Sequence, residues 1–329
     1  MNNITINDIA QATGFSANTV SRALRDKPDI SQETKALIRR AAAEMGYQKN
    51  IPASALRARK TDSIGVIIPD IRNPVYGSFY CGIEAVCQKH GCTAFLFNSS
   101  EKAEYELDAI NTALCHRADG IILFPSGDSL PGIELMRARK LPFVFLARRL
   151  AGCGEPFAGS DDFLGGYMAC RHMLEKGKRD FIIISGPHII SSFADRCEGF
   201  MRCLDENGIS REHAEIFQIS PTLEDARTLI KDRLASRCRG RAIFALSDYM
   251  AIGAVKALGE LDIRIPQDTA VMGYDNTESG ALITPALTTV DIRARELGSK
   301  SAAQLFSLIA GVQQPDELLP PFMVTRSSV

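Results

Sequence analysis

From Ser63 onward short apolar runs alternate with longer amphipathic ones, and few folds accommodate that alternation. The runs 64–68, 93–97, 120–124 and 142–146 read as strands of a buried parallel sheet. Between them, residues near 77–90, 102–116 and 130–139 read as helices. A second series follows, with strands at 181–184, 242–246 and 270–273 and helices near 163–176, 194–207, 223–235 and 249–260. Strands separated by helices predict two doubly wound α/β lobes, which bind ligands at the carboxyl ends of their strands. A length of 329 residues allows two or three domains. An apolar fraction of 45% with 23% charged residues excludes wholesale disorder. No window approaches the ~18 apolar residues of a membrane span.

The net charge of −1 hides a split. Residues 1–60 hold ten Lys/Arg against five Asp/Glu, whereas the remaining 269 hold 28 against 34. A basic head on an acidic body suggests a nucleic-acid module joined to something that is not one. The nine cysteines are odd in number and contain no Cys-x-x-Cys pair, so reduced thiols are expected in place of a disulfide framework. Residues Met1 to Thr5 form neither a basic nor an apolar leader, and a cytoplasmic location is expected.

Within the head, Thr5-Ile6-Asn7-Asp8 reads as a capping box that opens a helix ending at Gly14. Ser16 caps a second helix through Leu24, which the pair Lys27-Pro28 prevents from continuing. Ser31 caps a third, in which Leu37, Ile38, Ala41 and Met45 recur at helical spacing before Gly46. Three short helices, the first two joined by a Gly-containing turn, make a small all-α helix-turn-helix head, which reads either as a DNA-binding head or as a three-helix domain with a solvated polar face. Its second helix would turn Ala17, Asn18, Ser21 and Arg22 away from the packed side. Arginine offers a bidentate fork to guanine and asparagine pairs with adenine. Thr19, Ser21 and Arg25 are candidates for phosphate contacts, which set register without reading sequence. With the caps Thr5 and Ser16, these residues form the expected DNA-facing set.

The segment 47–62 carries Asn50, Pro52, Ala53 and Leu56 ahead of the basic run Arg57-Ala58-Arg59-Lys60. Asn50 can cap a short helix there, but helices below ~12–15 residues are marginal in water. Taken alone, this segment reads either as a hinge that folds on a support or as a charged linker.

In the body, polar residues follow the strand ends: Asp70, Asn73 and Tyr76 after the first, Arg148 after the fourth, and Ser192 and Arg196 beyond "SGP". Ser247 and Asp248 follow "IFAL", and Asp275 follows "VMGY". Planar Arg, Asp and Asn groups with an aromatic face suit a ligand with many hydroxyls, such as a sugar. Asp248 reads equally well as a helix cap. Enzyme readings fail. The five histidines show no metal spacing, there is no Gly-x-Ser-x-Gly elbow or Walker loop, and Gly165-Gly166 lacks the context of a dinucleotide site. Cys81, Cys87 and Cys92 fit a helix face and its turn better than a zinc site. No metal or cofactor is expected.

The segments "ITINDIAQATGFSANTVSRAL" and "ISQETKALIRRAAAEMGYQKN" resemble the head of LacI/GalR-family transcription regulators. The resemblance continues through "SIGVIIPDIRNPVYGSF", "ADGIILFP", "GPHIISSFADRCEGF", "SDYMAIGAVKALGEL", "IPQDTAVMGYDN" and "TPALTTVDI", almost the whole chain in one order. It implies a periplasmic-binding-protein-like body. It also places Ala17, Asn18 and Arg22 where the family reads bases, and implies a hinge that folds on DNA with Leu56 wedged in the minor groove. Asn50, Ala53 and Arg57 join that DNA-facing set. Arg196 and Asp275 match the family's recurrent effector contacts, and a last helix near 294–310 should return to the first lobe. The implied organisation is a head at 1–48, a hinge at 49–62 and a body at 63–329. Lobe 1 takes about 63–158 and 293–318, and lobe 2 about 159–292 and 319–329. The expected protein is a homodimeric repressor on a near-palindromic operator, controlled by a sugar-like effector. A periplasmic-type sugar-binding protein and a sugar-processing enzyme are the rivals. Two departures stand out: Ala147 replaces an acidic residue before Arg148-Arg149, and Ser220-Pro221 occupies the place of an aromatic platform. Losing a carboxylate and gaining an arginine predicts a more cationic pocket, suited to a phosphorylated or carboxylated sugar.

Overall fold

The computed structural model describes residues 4–47, 61–150 and 152–329. Asn50, Ala53, Leu56 and Arg57 lie outside the described residues. Internal contacts divide the chain into two units, Met1–Thr61 and Asp62–Val329.

The first unit holds three helices, α1 (Ile6–Thr13), α2 (Ala17–Leu24) and α3 (Gln32–Glu44). Each begins where a side chain satisfies an otherwise orphaned backbone N–H. Thr5 and Asp8 form the capping box: the Asp8 carboxylate accepts from the Thr5 N–H at 2.7 Å, and the Thr5 hydroxyl accepts from the Asp8 N–H at 3.4 Å. Ser16 accepts from the Thr19 N–H at 3.1 Å, and Ser31 from the Thr34 N–H at 3.2 Å. Gly14, at φ 72°, makes the left-handed step between α1 and α2. Ile9, Val20, Ala23, Ile38 and Ala42 form the core. Leu37, grouped with the core by its spacing, instead faces out at 42% exposure. The neighbouring ridge of Ile38 and Ala42 is the one that α1 and α2 cover.

In the second unit, lobe 1 is a six-stranded parallel sheet. Its strands are β1 (Ser63–Ile68), β2 (Thr93–Asn98), β3 (Gly120–Leu123), β4 (Phe143–Leu146), β5 (Phe157–Ser160) and β11 (Glu317–Leu319), in the order β11-β5-β4-β3-β1-β2. Lobe 2 is a four-stranded parallel sheet of β6 (Phe181–Ser185), β7 (Ala214–Gln218), β8 (Ala242–Ala245) and β9 (Ala270–Met272), in the order β7-β6-β8-β9. An antiparallel ribbon pairs β10 (Thr289–Asp291) with β12 (Phe322–Val324). The central strands are buried along their whole length, β1 and β6 among them. That burial is why they read as continuous apolar runs.

The helices facing the sheets approach one another through glycine. In lobe 1, α4 (Pro74–Lys89) packs on α12 (Ala294–Ile309). A Cβ on Gly82 would stand 2.0 Å from the Arg295 carbonyl, and one on Gly298 would stand 2.1 Å from that of Phe79. The last long helix therefore does cover lobe 1. Lobe 2 repeats the device in α7 (Asp162–Glu175) and α8 (Ser191–Glu206). There Gly166 meets the Arg196 carbonyl and Gly199 meets that of Phe163. Gly166 thus serves helix packing, and Gly165 leaves room for the Tyr274 hydroxyl.

Candidate functional site

A cavity of about 40 Å³, narrow enough in this closed arrangement to hold only a water or two, lies at the carboxyl ends of the strands of both lobes. Asp70, Asn73, Tyr76, Arg148, Ser192, Arg196, Ser247 and Asp275, separated by up to 205 residues of chain, all line it. Seven of these eight side chains are buried, and Asp70 is half-buried. Phe79, Phe124 and Phe193 supply apolar wall, and Pro221 lines the cavity with no aromatic platform at that place. Glu101 also lines the cavity and was not among the expected residues. It follows the end of β2, and that position was its only signal in the chain.

Two buried arginines organise the lining. Arg148 donates to both carboxylate oxygens of Glu101 at 2.8 Å and to the Tyr76 hydroxyl at 2.9 Å. Arg149 turns elsewhere, its guanidinium 4.1 Å over the Phe157 ring. The expected excess of positive charge is therefore not present. The carboxylate missing before Arg148 is supplied by Glu101 from another loop, and the extra arginine is absent from the lining.

In lobe 2, Arg196 donates to Asp162 at 2.9 Å and to the Leu246 carbonyl at 2.6 Å, with Asp275 at 3.6 Å. Its guanidinium lies 3.8 Å over the Tyr274 ring. Burial pushes the Asp275 carboxyl well above its ordinary range, and the Arg196 charge opposes that shift. Asp248 faces away from the cavity: its carboxylate accepts from the Thr277 N–H at 2.6 Å and the Thr289 hydroxyl at 2.6 Å. Burial raises that carboxyl to about 6. Asp248 therefore holds the loop that carries Asp275. Ser247, beside it, caps α10 (Asp248–Glu260) through the Met250 N–H at 3.2 Å.

Strained backbone gathers at this site. Glu101 (φ 58°), Ala147 (φ 60°) and Asp275 (φ 114°), all lining residues, occupy the left-handed region. Each such residue costs on the order of 1–3 kcal/mol unless its surroundings impose it. The lobes also touch across the mouth. The Arg149 N–H donates to the Ser191 hydroxyl at 2.9 Å, and a Cβ on Gly127 would stand 2.9 Å from Ile189.

On the head, α2 exposes Asn18, Arg22 and Arg25, with Ala17, Thr19 and Ser21 half-exposed beside them. Arg22 is held by Asp29 at 2.8 Å, and Arg25 bonds the Ser21 hydroxyl. The Thr5 and Ser16 hydroxyls are engaged in their caps.

Residues 5–50 match the family model described as bacterial regulatory proteins, lacI family, and residues 170–329 match a periplasmic binding protein-like domain. The chain is 30% identical over 329 residues to the HTH-type transcriptional repressor PurR of Edwardsiella ictaluri, covering 99% of this chain and 96% of that relative. The chain belongs to the lacI family of bacterial regulatory proteins. The HTH-type transcriptional regulator DegA of Bacillus subtilis is 29% identical, with 98% and 97% of the two chains covered. This lacI-family chain is a DNA-binding transcription regulator and not an enzyme. Its fold matches a lac repressor dimer bound to operator and the anti-inducer ONPF, at a TM-score of 0.87 with 24% identity and 99% of each chain covered. A lacI-family regulator from Enterococcus faecium with bound ribose matches at a TM-score of 0.73 and 28% identity, covering 81% of this chain and 98% of that one. Among the described residues, no group of His, Cys, Asp or Glu could hold a metal ion, and no helix is long and apolar enough to cross a membrane.

Proposed function

We propose that this regulator is a homodimeric repressor whose operator affinity is set by a small polyhydroxylated, sugar-like effector bound in the cleft. The observation that carries the reading is the convergence of eight polar and aromatic side chains from both lobes on one cavity. Contacts across its mouth join the lobes at the same place. A ligand bridging the two linings favours the closed arrangement by its differential affinity for it, and by no more than that. The related regulator with bound ribose supports a sugar-sized ligand. The lac repressor dimer supports two-fold assembly.

In this reading the head (1–48) reads bases through Ala17, Asn18 and Arg22 and holds phosphates through Thr19, Ser21 and Arg25. Asn50, Ala53, Leu56 and Arg57 belong to a hinge (49–62) that completes the interface on DNA. Dimerisation supplies the second half-site, because one small head makes too few contacts alone. The surface proposed for it includes the edge strand β2, which presents Phe95 at 43% and Leu96 at 36% exposure beside an unpaired backbone edge.

Selection of random duplexes by the full chain, followed by sequencing, tests the proposal. Two inverted half-sites about one helical turn apart are expected. Phe95→Glu should lower the dimer fraction in sedimentation and weaken retention of the paired site. Enrichment of no sequence at moderate salt contradicts the regulator reading, and an unpaired motif contradicts the dimer.

A further inference from the structure

The charged side chains of the cavity wall are Asp70, Glu101, Asp275, Arg148 and Arg196. Every guanidinium among them already has a carboxylate. Arg148 is forked onto Glu101, and Arg196 lies between Asp162 and Asp275. Glu101 is not placed there by Arg148 alone. Ser100 and Glu101 are both left-handed, at φ 53° and 58°. The turn is tied back to lobe 1 by the Glu101 N–H on the Pro69 carbonyl at 3.1 Å and the Ser99 N–H on that of Ile68 at 2.8 Å. A backbone in this conformation aims the carboxylate at Arg148 before any ligand arrives.

We propose that Glu101 is a specificity-determining residue: it occupies the anion-binding fork of Arg148, so the cleft admits neutral hydroxylated ligands and excludes phosphorylated or carboxylated ones. The inference rests on the reading of this cleft as the effector site. An incoming phosphate or carboxylate finds no uncompensated cation among the lining residues. To reach Arg148 it must displace a preorganised bidentate carboxylate and leave that charge part-buried without its partner. A neutral ligand avoids this cost, since its hydroxyls donate to Asp70, Glu101 and Asp275 while the arginines stay paired. The chain thus carries its own anion where an anionic effector would otherwise sit. With Glu101 neutralised, Arg148 becomes a free buried fork facing the cavity, and an anionic ligand becomes the better match.

Calorimetry on the full chain tests this with matched probes: D-ribose, ribose 5-phosphate and ribonate, then D-glucose, glucose 6-phosphate and gluconate. For the wild-type chain, one neutral sugar should bind roughly tenfold or more tightly than its own phosphate and acid. Glu101→Gln should shift that ratio toward the anion by about tenfold or more. Glu101→Ala is the second variant, and thermal melts establish that each is folded. The ratio is diagnostic because loosened packing would weaken neutral and charged probes together. Wild-type binding of the anion as tightly as the neutral sugar overturns the proposal, as does an unchanged ratio in the folded variants. If no probe binds any of the proteins, it is the sugar-effector reading of the cleft that fails, and this inference falls with it.

Discussion

Replacing Arg196 with methionine is expected to destabilise the body by about 3–5 kcal/mol and to abolish any response to an effector. Arg196 is 6% exposed, and its removal leaves Asp162 and Asp275 as buried carboxylates without a partner. It also strips the Tyr274 ring of the cation 3.8 Å above it. The loss should depend on pH, with a definite sign. Burial raises both carboxyls above their ordinary values, and the Arg196 charge counters that rise. Without the arginine their folded-state pKa values move further up. A carboxyl raised in the folded state favours folding when protonated, so its penalty is full at high pH and shrinks as pH falls through the raised value. Thermal melts across pH should therefore bring the variant toward wild type on acidification. A deficit independent of pH would point to lost packing in place of buried charge. Arg196→Lys should fall between, keeping the charge and losing the planar fork.

Arg22→Ala is expected to cost about 1–3 kcal/mol at the operator, or about 5- to 150-fold in affinity, and to relax selectivity at one base position. In the free head Arg22 pairs with Asp29, both side chains being nearly half exposed at 45% and 46%. An ion pair that exposed contributes ~0–1 kcal/mol, so swinging the arginine into a groove gives up little. Arg25→Ala should act differently, weakening all sequences alike and flattening the salt dependence by about one phosphate contact. Anisotropy titrations on the selected duplex and on single-base variants separate the two. Uniform weakening by Arg22→Ala would remove its base-reading role.

Much of this architecture is legible in the chain because its central strands are continuous apolar runs and its helix starts are marked by Thr5, Ser16 and Ser31. The strands that pass unnoticed have other chemistry. β5 is Phe-Ala-Gly-Ser, too short and small to stand out. β7 is an edge strand in which only Ala214 is buried and the rest alternate half-buried and exposed. β10 and β12 have three residues each and exist only because distant segments pair. The single helix read near 223–235 is a short α-helix, Leu223–Leu229, that widens into a π-helical turn over Ile230–Leu234.

The cleft is legible for a physical reason: in doubly wound sheets, polar residues just past strand ends face the same crevice. Glu101 obeys that rule too, but its weight comes from a partner 47 residues away. The substitution of Ala147 for a carboxylate was visible, whereas its replacement from another loop was not. A charge count along the chain therefore overstates the pocket's cationic character, since charge in a cavity is set by which side chains turn in. Arg149 illustrates this by leaving the cavity for the Phe157 ring.

Occupancy of the cleft is expected to control the head's hold on DNA. The direct measurement is operator affinity by fluorescence anisotropy on the selected duplex, at fixed salt, with and without a sugar that calorimetry shows to be bound. The expected result is a change of about 5- to 150-fold in operator affinity at saturating sugar, smaller in Arg196→Lys. Identical operator isotherms with the cleft empty and saturated would rule out control of the head by the cleft.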